Sequence, residues 1–441
     1  MMNSQKKFGG FYLGIILLAA LVIGELTFAA LGIITKNLCL QEKNVVHISE
    51  FALLAVLLFS GIFEWSFRYY GIALVLLIQA VIAGIGLWRG KDKPYKLSKV
   101  IRNLVTIILL YIAVLTISIV CPQYKQPVKT GSYPVASAKY TWTDNSRVET
   151  YSNSGDKRKL TVEFWYPENV AGKCPLVVFS HGAFGFSGSN ISTFEELASN
   201  GYIVASIGHT YQAFFTLDTS GKLTTVDTNF LNSAMELQNN DNVSNEFEIS
   251  HSWLKIRTAD ENFVLDTIID QAKSNSSGKL FSKVDADSIG LFGHSLGGAS
   301  SAEVGRQRDG IKAVIVLDGT MIGEEVREEN GRNILSNTPY PVPLLNIYAA
   351  DHYTNAQKTD GSNYANFYTA SHALNAQEII IKGAGHLNFT DLPLFSPTLA
   401  KMLGVGTVDS RYCIETTNNI ILKYFNCYLK GKESPHFEKE Y

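Results

Sequence analysis

The chain has 441 residues, 38 lysines and arginines against 40 aspartates and glutamates, and a net charge of −2. That length exceeds one ordinary domain, and the charge offers no basic surface of the kind nucleic-acid binding needs. Five cysteines (Cys39, Cys121, Cys174, Cys413, Cys427) form no C-x-x-C and no zinc spacing; an odd number cannot all pair internally, and in an exported protein Cys413 could pair with Cys427.

The first part of the chain, residues 1–121, is mostly apolar. Phe11–Ile34, Val45–Phe63, Gly71–Trp88 and Leu104–Val120 each have the length that crosses a bilayer as a helix, roughly 17–25 residues. A cleaved signal peptide does not account for them: the first apolar core is too long and three more follow. The pattern predicts a bundle of about four transmembrane helices, the second of which contains His47 and Glu50. Glu50 and Glu64 read as helix-end residues at the interface, whereas Glu25 lies within a span, where carboxylates are often functional. Basic residues set the orientation. Arg89, Lys91, Lys93, Lys96 and Lys99 in one loop and Lys36 and Lys43 in another share a side; Lys6, Lys7 and Arg68 lie on the opposite side. The richer side is expected in the cytoplasm, which makes the protein multi-pass and its C-terminal part extracytoplasmic.

Residues 122–136 are polar and carry Pro122, Pro127, Gly131 and Pro134, which reads as a linker. Residues 137–441 alternate strands and helices, the pattern of an α/β domain with a mostly parallel sheet. Leu160–Tyr166 alternates and reads as an edge strand; Leu176–Ser180 is a fully apolar strand. Thr193–Ser199 is helical and Tyr202–Ile207 is the next strand. Residues 216–250 show no sustained period and are long enough to cover a site as a lid. An amphipathic helix follows over Trp253–Ala272, then strands at 289–293, 313–317, 343–348 and 378–382, with closing helices at Leu399–Leu403 and Asn419–Leu429.

Strand 289–293 ends in "IGLFGHSLGGAS". Gly293-His294-Ser295-Leu296-Gly297 fits G-x-S-x-G, a sharp strand-to-helix turn that exposes a serine hydroxyl above the sheet. A hydroxyl is a poor nucleophile until a base lies within hydrogen-bond reach. Of the downstream histidines His352, His372, His386 and His436, His386 sits in the glycine-flanked loop "KGAGHLNFTD" after the last strand, where the base is expected. His372 lies in a helical stretch and His436 in the tail. His294, inside the turn, reads as a packing residue. Two acids compete. Asp318 ends "AVIVLD" and Asp351 ends "PLLNIYAAD", both at carboxyl ends of strands, where function collects in open α/β sheets; the generic position, after the later strand, is that of Asp351. An oxyanion hole needs two backbone N–H groups. The candidates are Leu296, next to the serine, and Ala183 in "SHGAFGFSG". The spacings G-x-G-x-x-G and H-E-x-x-H and a Walker lysine are absent, so neither cofactor nor metal is expected.

Six blocks taken in order, "PLVVFSHGAFGFSG", "ELASNGYIVASIGH", "RTADENFVLD", "GLFGHSLGGAS", "VLDGTM" and "GHLNFTDLPLFSP", resemble the plasma-type platelet-activating-factor acetylhydrolases and related bacterial lipase-like proteins. The resemblance runs from about Leu160 to Pro397. It implies an α/β-hydrolase fold, the triad Ser295, Asp318 and His386, and oxyanion donors at Leu296 and Ala183. The membrane helices, the linker, residues 216–250 and the stretch after Met321 depart from the secreted members of that family, which leaves substrate preference open. The implied activity is hydrolysis of carboxylic esters, including short-acyl or oxidised phospholipids, by an enzyme tethered to the bilayer. An acyltransferase or peptidase on the same fold, or a catalytically silent domain in adhesion or signalling, are the alternatives.

Overall fold

The computed structural model describes residues 10–90, 94–152, 154–239, 245–274, 278–329 and 331–441. Internal packing divides it into two units, Met1–Lys125 with Pro393–Met402, and Gln126–Leu392 with Leu403–Tyr441. Lys6, Lys7, Lys91 and Lys93, on which the expected orientation partly rests, lie outside the described residues, as do residues 240–244 of the expected lid.

The first unit contains four long helices, α1 (Gly10–Thr35), α2 (Leu40–Phe59), α3 (Phe67–Arg89) and α4 (Leu97–Val120). Three are long and apolar enough to cross a membrane: Tyr12–Thr35, Phe67–Arg89 and Leu97–Val120. Of the about four expected, three meet that length and composition among the described residues, and α2 falls short. Helix α2 forms where expected, but Glu42, Lys43 and Glu50 lower its hydropathy. Its polar side chains have a partner. Glu25 of α1 is 4% exposed and receives Lys43 Nζ at 2.7 Å and His47 Nε2 at 2.9 Å. A carboxylate inside an apolar helix is tolerable when a cation from the neighbouring helix offsets its charge. Tyr69, Ile72, Tyr111 and Leu115 fill the middle of this unit, while Ile23, Leu53, Ile82 and Leu109 face outward.

The second unit is built on an eight-stranded sheet. In chain order the strands are β1 (Val135–Val148), β2 (Lys157–Pro167), β3 (Cys174–Ser180), β4 (Ile203–Gly208), β5 (Val284–His294), β6 (Ile311–Leu317), β7 (Leu344–Ala349) and β8 (Ala376–Ile381). Their order in space is β1-β2-β4-β3-β5-β6-β7-β8. From β4 to β8 all pairings are parallel; β2 runs antiparallel to β1 and β4. So β2, expected at the edge, is interior. The edge is β1, which carried no expectation of its own although Ala138, Tyr140 and Trp142 alternate with polar residues and pack against the core.

The apolar strands follow from burial on both faces. Leu176 and Val178 of β3 pack with Val264, Leu265 and Ile268 of α7 (Glu246–Lys273). Val177 and Phe179 point the other way, to Phe194 and Leu197 of α5 (Ile191–Ser199) and to Ile420, Ile421 and Phe425 of a C-terminal helix, Ser410–Lys430. Cys413 and Cys427 are free thiols. Both lie on that one helix, fourteen residues and so roughly 21 Å apart along its axis, which rules out their pairing within it. The polar connection expected to lack regular structure contains a short antiparallel hairpin, Phe215–Leu217 with Leu223–Thr225, and helix α6 (Thr228–Asn239).

Candidate active site

Parallel strands that share a direction bring their carboxyl ends to one edge of the sheet. Ser295 follows β5, Asp318 follows β6, His352 lies just past β7, and His386 follows β8.

Ser295 adopts φ 54°, ψ −128°, between β5 and helix α8 (Leu296–Gln307). A non-glycine residue is rarely found there, and the surroundings must hold it. The sequence permits this through absent side chains. A Cβ on Gly293 would stand 2.2 Å from the Gly297 carbonyl carbon, and one on Gly297 would stand 2.0 Å from the Ser180 oxygen. The turn is further fixed by the Ser295 N–H, which donates to Leu317 O at 2.9 Å. A Cβ on Gly319 would meet Ser295 O at 2.3 Å, so the chain after Asp318 passes directly against the serine.

Asp318 is 1% exposed and has φ 50°. Its Oδ2 receives His386 Nδ1 at 2.7 Å; its Oδ1 receives the Ala349 N–H at 2.7 Å and His352 Nδ1 at 3.0 Å. Burial opposes its charge, but the hydrogen bonds from His352 and His386 outweigh it and hold the carboxyl well below its usual range. An ionised carboxylate only accepts, so both facing ring nitrogens carry protons. In the neutral His386 ring this leaves the lone pair on Nε2, the tautomer a general base requires. Its loop is pinned by Asn388, whose Oδ1 accepts the Gly385 N–H at 2.9 Å and the Gly406 N–H at 2.8 Å. Asp351 is different: it is exposed, opens helix α9 (Ala350–Thr359), and its carboxylate accepts the N–H of His352 at 2.8 Å.

The loop after β3 lies against the serine. A Cβ on Gly182 would stand 3.1 Å from Ser295 Cβ and 2.9 Å from His294 Nδ1. The Gly182 carbonyl accepts from His181 Nδ1 at 2.7 Å, from the Gly185 N–H at 3.1 Å and from Arg257 Nη2 at 3.4 Å. Arg257 also donates to His181 O and, at 2.7 Å, to Gln212 Oε1, and is fully buried. In a planar trans peptide the carbonyl and the next N–H point in opposite directions. Three donors on the Gly182 oxygen thus fix where the Ala183 N–H points. Leu296 is the first residue of α8, so its N–H has no intrahelical acceptor and the helix dipole favours an anion there.

His294 packs beneath the turn as expected. Its Nε2–H donates to His386 O at 3.0 Å, and its ring lies 4.5 Å from that of His386. Burial, aided by His386, pushes its pKa down to about 3, so it stays neutral. His372 ends helix α10 (Ala365–His372) on the surface.

Arg257, Asp260 and Glu261 carried no expectation of their own, yet all are buried in α7. Arg158 forks onto Asp260 (2.6 and 3.0 Å), Asp260 also holds His209 at 3.0 Å, and His209 meets Ser180 Oγ at 2.8 Å. Glu261 accepts from Ser300 at 2.8 Å and Ser301 at 3.1 Å on α8. Three ionisable residues at i, i+3 and i+4 on the face that also carries Val264 and Leu265 were the available signal. His352 gave none beyond its place after a strand.

A mostly parallel sheet of this order with helices on both faces is the α/β-hydrolase fold. The fold is shared with "Ferulic acid esterase from Streptomyces cinnamoneus", which aligns with a TM-score of 0.54 and 23% identity over 70% of this chain and 94% of that one. Residues 164–438 match the family described as platelet-activating factor acetylhydrolase, isoform II, and the chain belongs to that family. It is 24% identical over 283 residues to the platelet-activating factor acetylhydrolase of Cavia porcellus, covering 62% of this chain and 61% of that protein. It is 25% identical over 281 residues to the one of Canis lupus familiaris, covering 60% and 59%. The chain thus spans about three-fifths of the length of the curated relatives it matches.

Proposed function

We propose that this protein is a membrane-anchored serine ester hydrolase that works through an acyl-enzyme on Ser295. The observation that carries the reading is the hydrogen bond of His386 Nδ1 to Asp318 Oδ2, 2.7 Å, beside a serine held at φ 54°. His386 Nε2 takes the Ser295 proton as the hydroxyl attacks the ester carbonyl. Asp318 offsets the charge of the imidazolium. The N–H groups of Leu296 and Ala183 receive the oxyanion, and His386 returns the proton to the departing alcohol. Water then releases the acyl group through the same base. The substrates we assign are amphiphilic carboxylic esters, with short-acyl or oxidised phospholipids first. The names of the relatives and the apolar helices of the first unit support this choice.

The test is labelling by a fluorophosphonate, followed by turnover of a chromogenic ester series of rising acyl length. Ser295→Ala should fold, fail to label, and lose ester turnover by roughly 10⁴ or more; turnover above about a tenth of the parent would exclude the serine mechanism.

The second unit is read as extracytoplasmic, from the basic residues around Arg89–Lys99. With the native cysteines replaced, Ser137→Cys should react with an impermeant maleimide on intact cells and Ser98→Cys should not. The reverse pattern would invert the topology.

A further inference from the structure

We propose that His352 is a positioning residue for the candidate triad: a second imidazole on Asp318, whose hydrogen bond fixes that carboxylate and restrains its basicity toward His386. The inference rests on the reading of Ser295, Asp318 and His386 given above.

The two oxygens of Asp318 are divided between two histidines. Oδ2 faces His386 at 2.7 Å and Oδ1 faces His352 at 3.0 Å, with the Ala349 N–H as a third donor at 2.7 Å. A triad in which the acid served only His386 would need a donor on Oδ1, and a backbone N–H alone could supply it. Here a titratable ring occupies the second place. His352 is itself supported from behind. Its Nε2 lies 3.1 Å from Tyr364 Oη, and that hydroxyl lies 3.0 Å from Thr320 Oγ1, on the loop that follows Asp318. Since Nδ1 must donate to the carboxylate, Nε2 of a neutral His352 accepts the Tyr364 hydroxyl proton, and Tyr364 accepts from Thr320. If His352 is protonated, both of the latter bonds reverse and none is lost. The chain Asp318–His352–Tyr364–Thr320 therefore holds the carboxylate in either protonation state.

The charged and titratable groups facing His352 are few. Asp318 approaches from the end of β6, Tyr364 from the segment before α10, and Asp351 lies on its own helix. Beyond them, His386 shares Asp318, His294 packs on His386, and Glu325 and Asp360 act on Tyr364. Burial disfavours a charged His352, but its hydrogen bond to Asp318, the Asp318 charge and then Asp351 outweigh burial and raise its pKa.

The sign of the effect is the same for either state of His352. A neutral donor on Oδ1 draws charge from Oδ2; a cation there does so more strongly. Removing the ring leaves Asp318 more basic, so the imidazolium of His386 is better stabilised in the free enzyme and the acid limb of the rate profile moves to higher pH. Removing it also leaves the Ala349 N–H as the one remaining donor named here on Oδ1, so the carboxylate is held less firmly and the rate at the plateau falls.

The experiment follows the second-order rate constant for fluorophosphonate labelling of Ser295 from about pH 5 to about pH 9, the range in which imidazoles titrate. This readout does not depend on the natural ester. His352→Phe keeps a planar aromatic ring, slightly larger, and removes the donor. It should lower the plateau about tenfold, the loss expected from one hydrogen bond to a charged group, and raise the acid-limb midpoint by about half a pH unit or more. His352→Asn restores a donor at the Nδ1 position without the titratable charge and should recover most of the plateau. Tyr364→Phe should shift both quantities in the direction of His352→Phe, by less. A folded His352→Phe with plateau and midpoint unchanged overturns the inference, as does an Asn variant as slow as the Phe variant. If His352→Phe does not fold, an unmoved midpoint and plateau in Tyr364→Phe overturns it instead. A parent enzyme that labels no better than Ser295→Ala overturns the serine mechanism itself, a result distinct from either of these.

Discussion

His386 turns Nδ1 to Asp318 at 2.7 Å, although Asp351 also follows a strand on the same edge of the sheet. The carboxylate of Asp351 is spent on the backbone N–H of His352. Asp318→Asn should therefore fold and lose about 10⁴ in kcat, because an amide offers His386 the wrong hydrogen-bonding partner. Asp351→Asn should keep most activity and lose only a helix-end contact, about 0.5–2 kcal/mol. Measuring kcat for both variants, with circular dichroism to check folding, tests the assignment; an inactive Asp351→Asn beside an active Asp318→Asn would move the acid to the later strand.

The turn at Ser295 tolerates no side chain at Gly297, where a Cβ would lie 2.0 Å from the Ser180 oxygen and 2.4 Å from its carbon. Both atoms are backbone in the middle of the sheet and cannot swing aside. Gly297→Ala should destabilise the second unit by about 1–3 kcal/mol and abolish fluorophosphonate labelling even where the variant remains folded. Urea titration and labelling of the same preparation measure the two effects.

Glu261 is fully buried, and burial, only partly offset by Ser300 and Ser301, pushes its pKa up to about 8. The unfolded chain releases this proton near about pH 4.3, so between there and about 8 the folded state binds more protons than the unfolded one. Stability from this group is present below the unfolded pKa and declines as pH rises through the folded one. Glu261→Gln removes the dependence. Its melting temperature relative to the parent should be more favourable at pH about 8.5 than at about 6; a difference independent of pH would refute the burial of an ionisable group there.

Asp260 receives both Arg158 and His209 and is itself fully buried. Asp260→Asn leaves the Arg158 guanidinium with Glu149 as its remaining carboxylate partner. A buried pair broken from one side costs about 3–5 kcal/mol, and the urea midpoint should fall accordingly. An Arg158→Met, Glu149→Gln, Asp260→Leu triple variant should recover part of that loss, since it leaves neither buried carboxylate facing an absent guanidinium. No recovery would mean that the pair acts through something other than its charges.

The residues that sequence determined are those whose physics is local. Gly293, Ser295 and Gly297 lie within five positions, and the exclusion of side chains that shapes their turn operates over that distance. The apolar runs of β3, β5 and β6 announce burial on both faces by composition alone. The membrane-length helices do so by length, and only α2, with Glu42, Lys43 and Glu50, departs from the apolar pattern because α1 supplies Glu25 as a partner that composition cannot display. What tertiary structure decided depends on which strand ends meet. Asp318 and Asp351 are equivalent as letters after a strand; parallel register set the first against His386 and turned the second to its own helix. Arg257 reaches His181 across 76 positions and His352 reaches Asp318 across 34. No periodicity carries such pairs. They exist because closing the sheet removes water from those side chains, and a buried charge or donor must then find its partner among whatever the fold brings near.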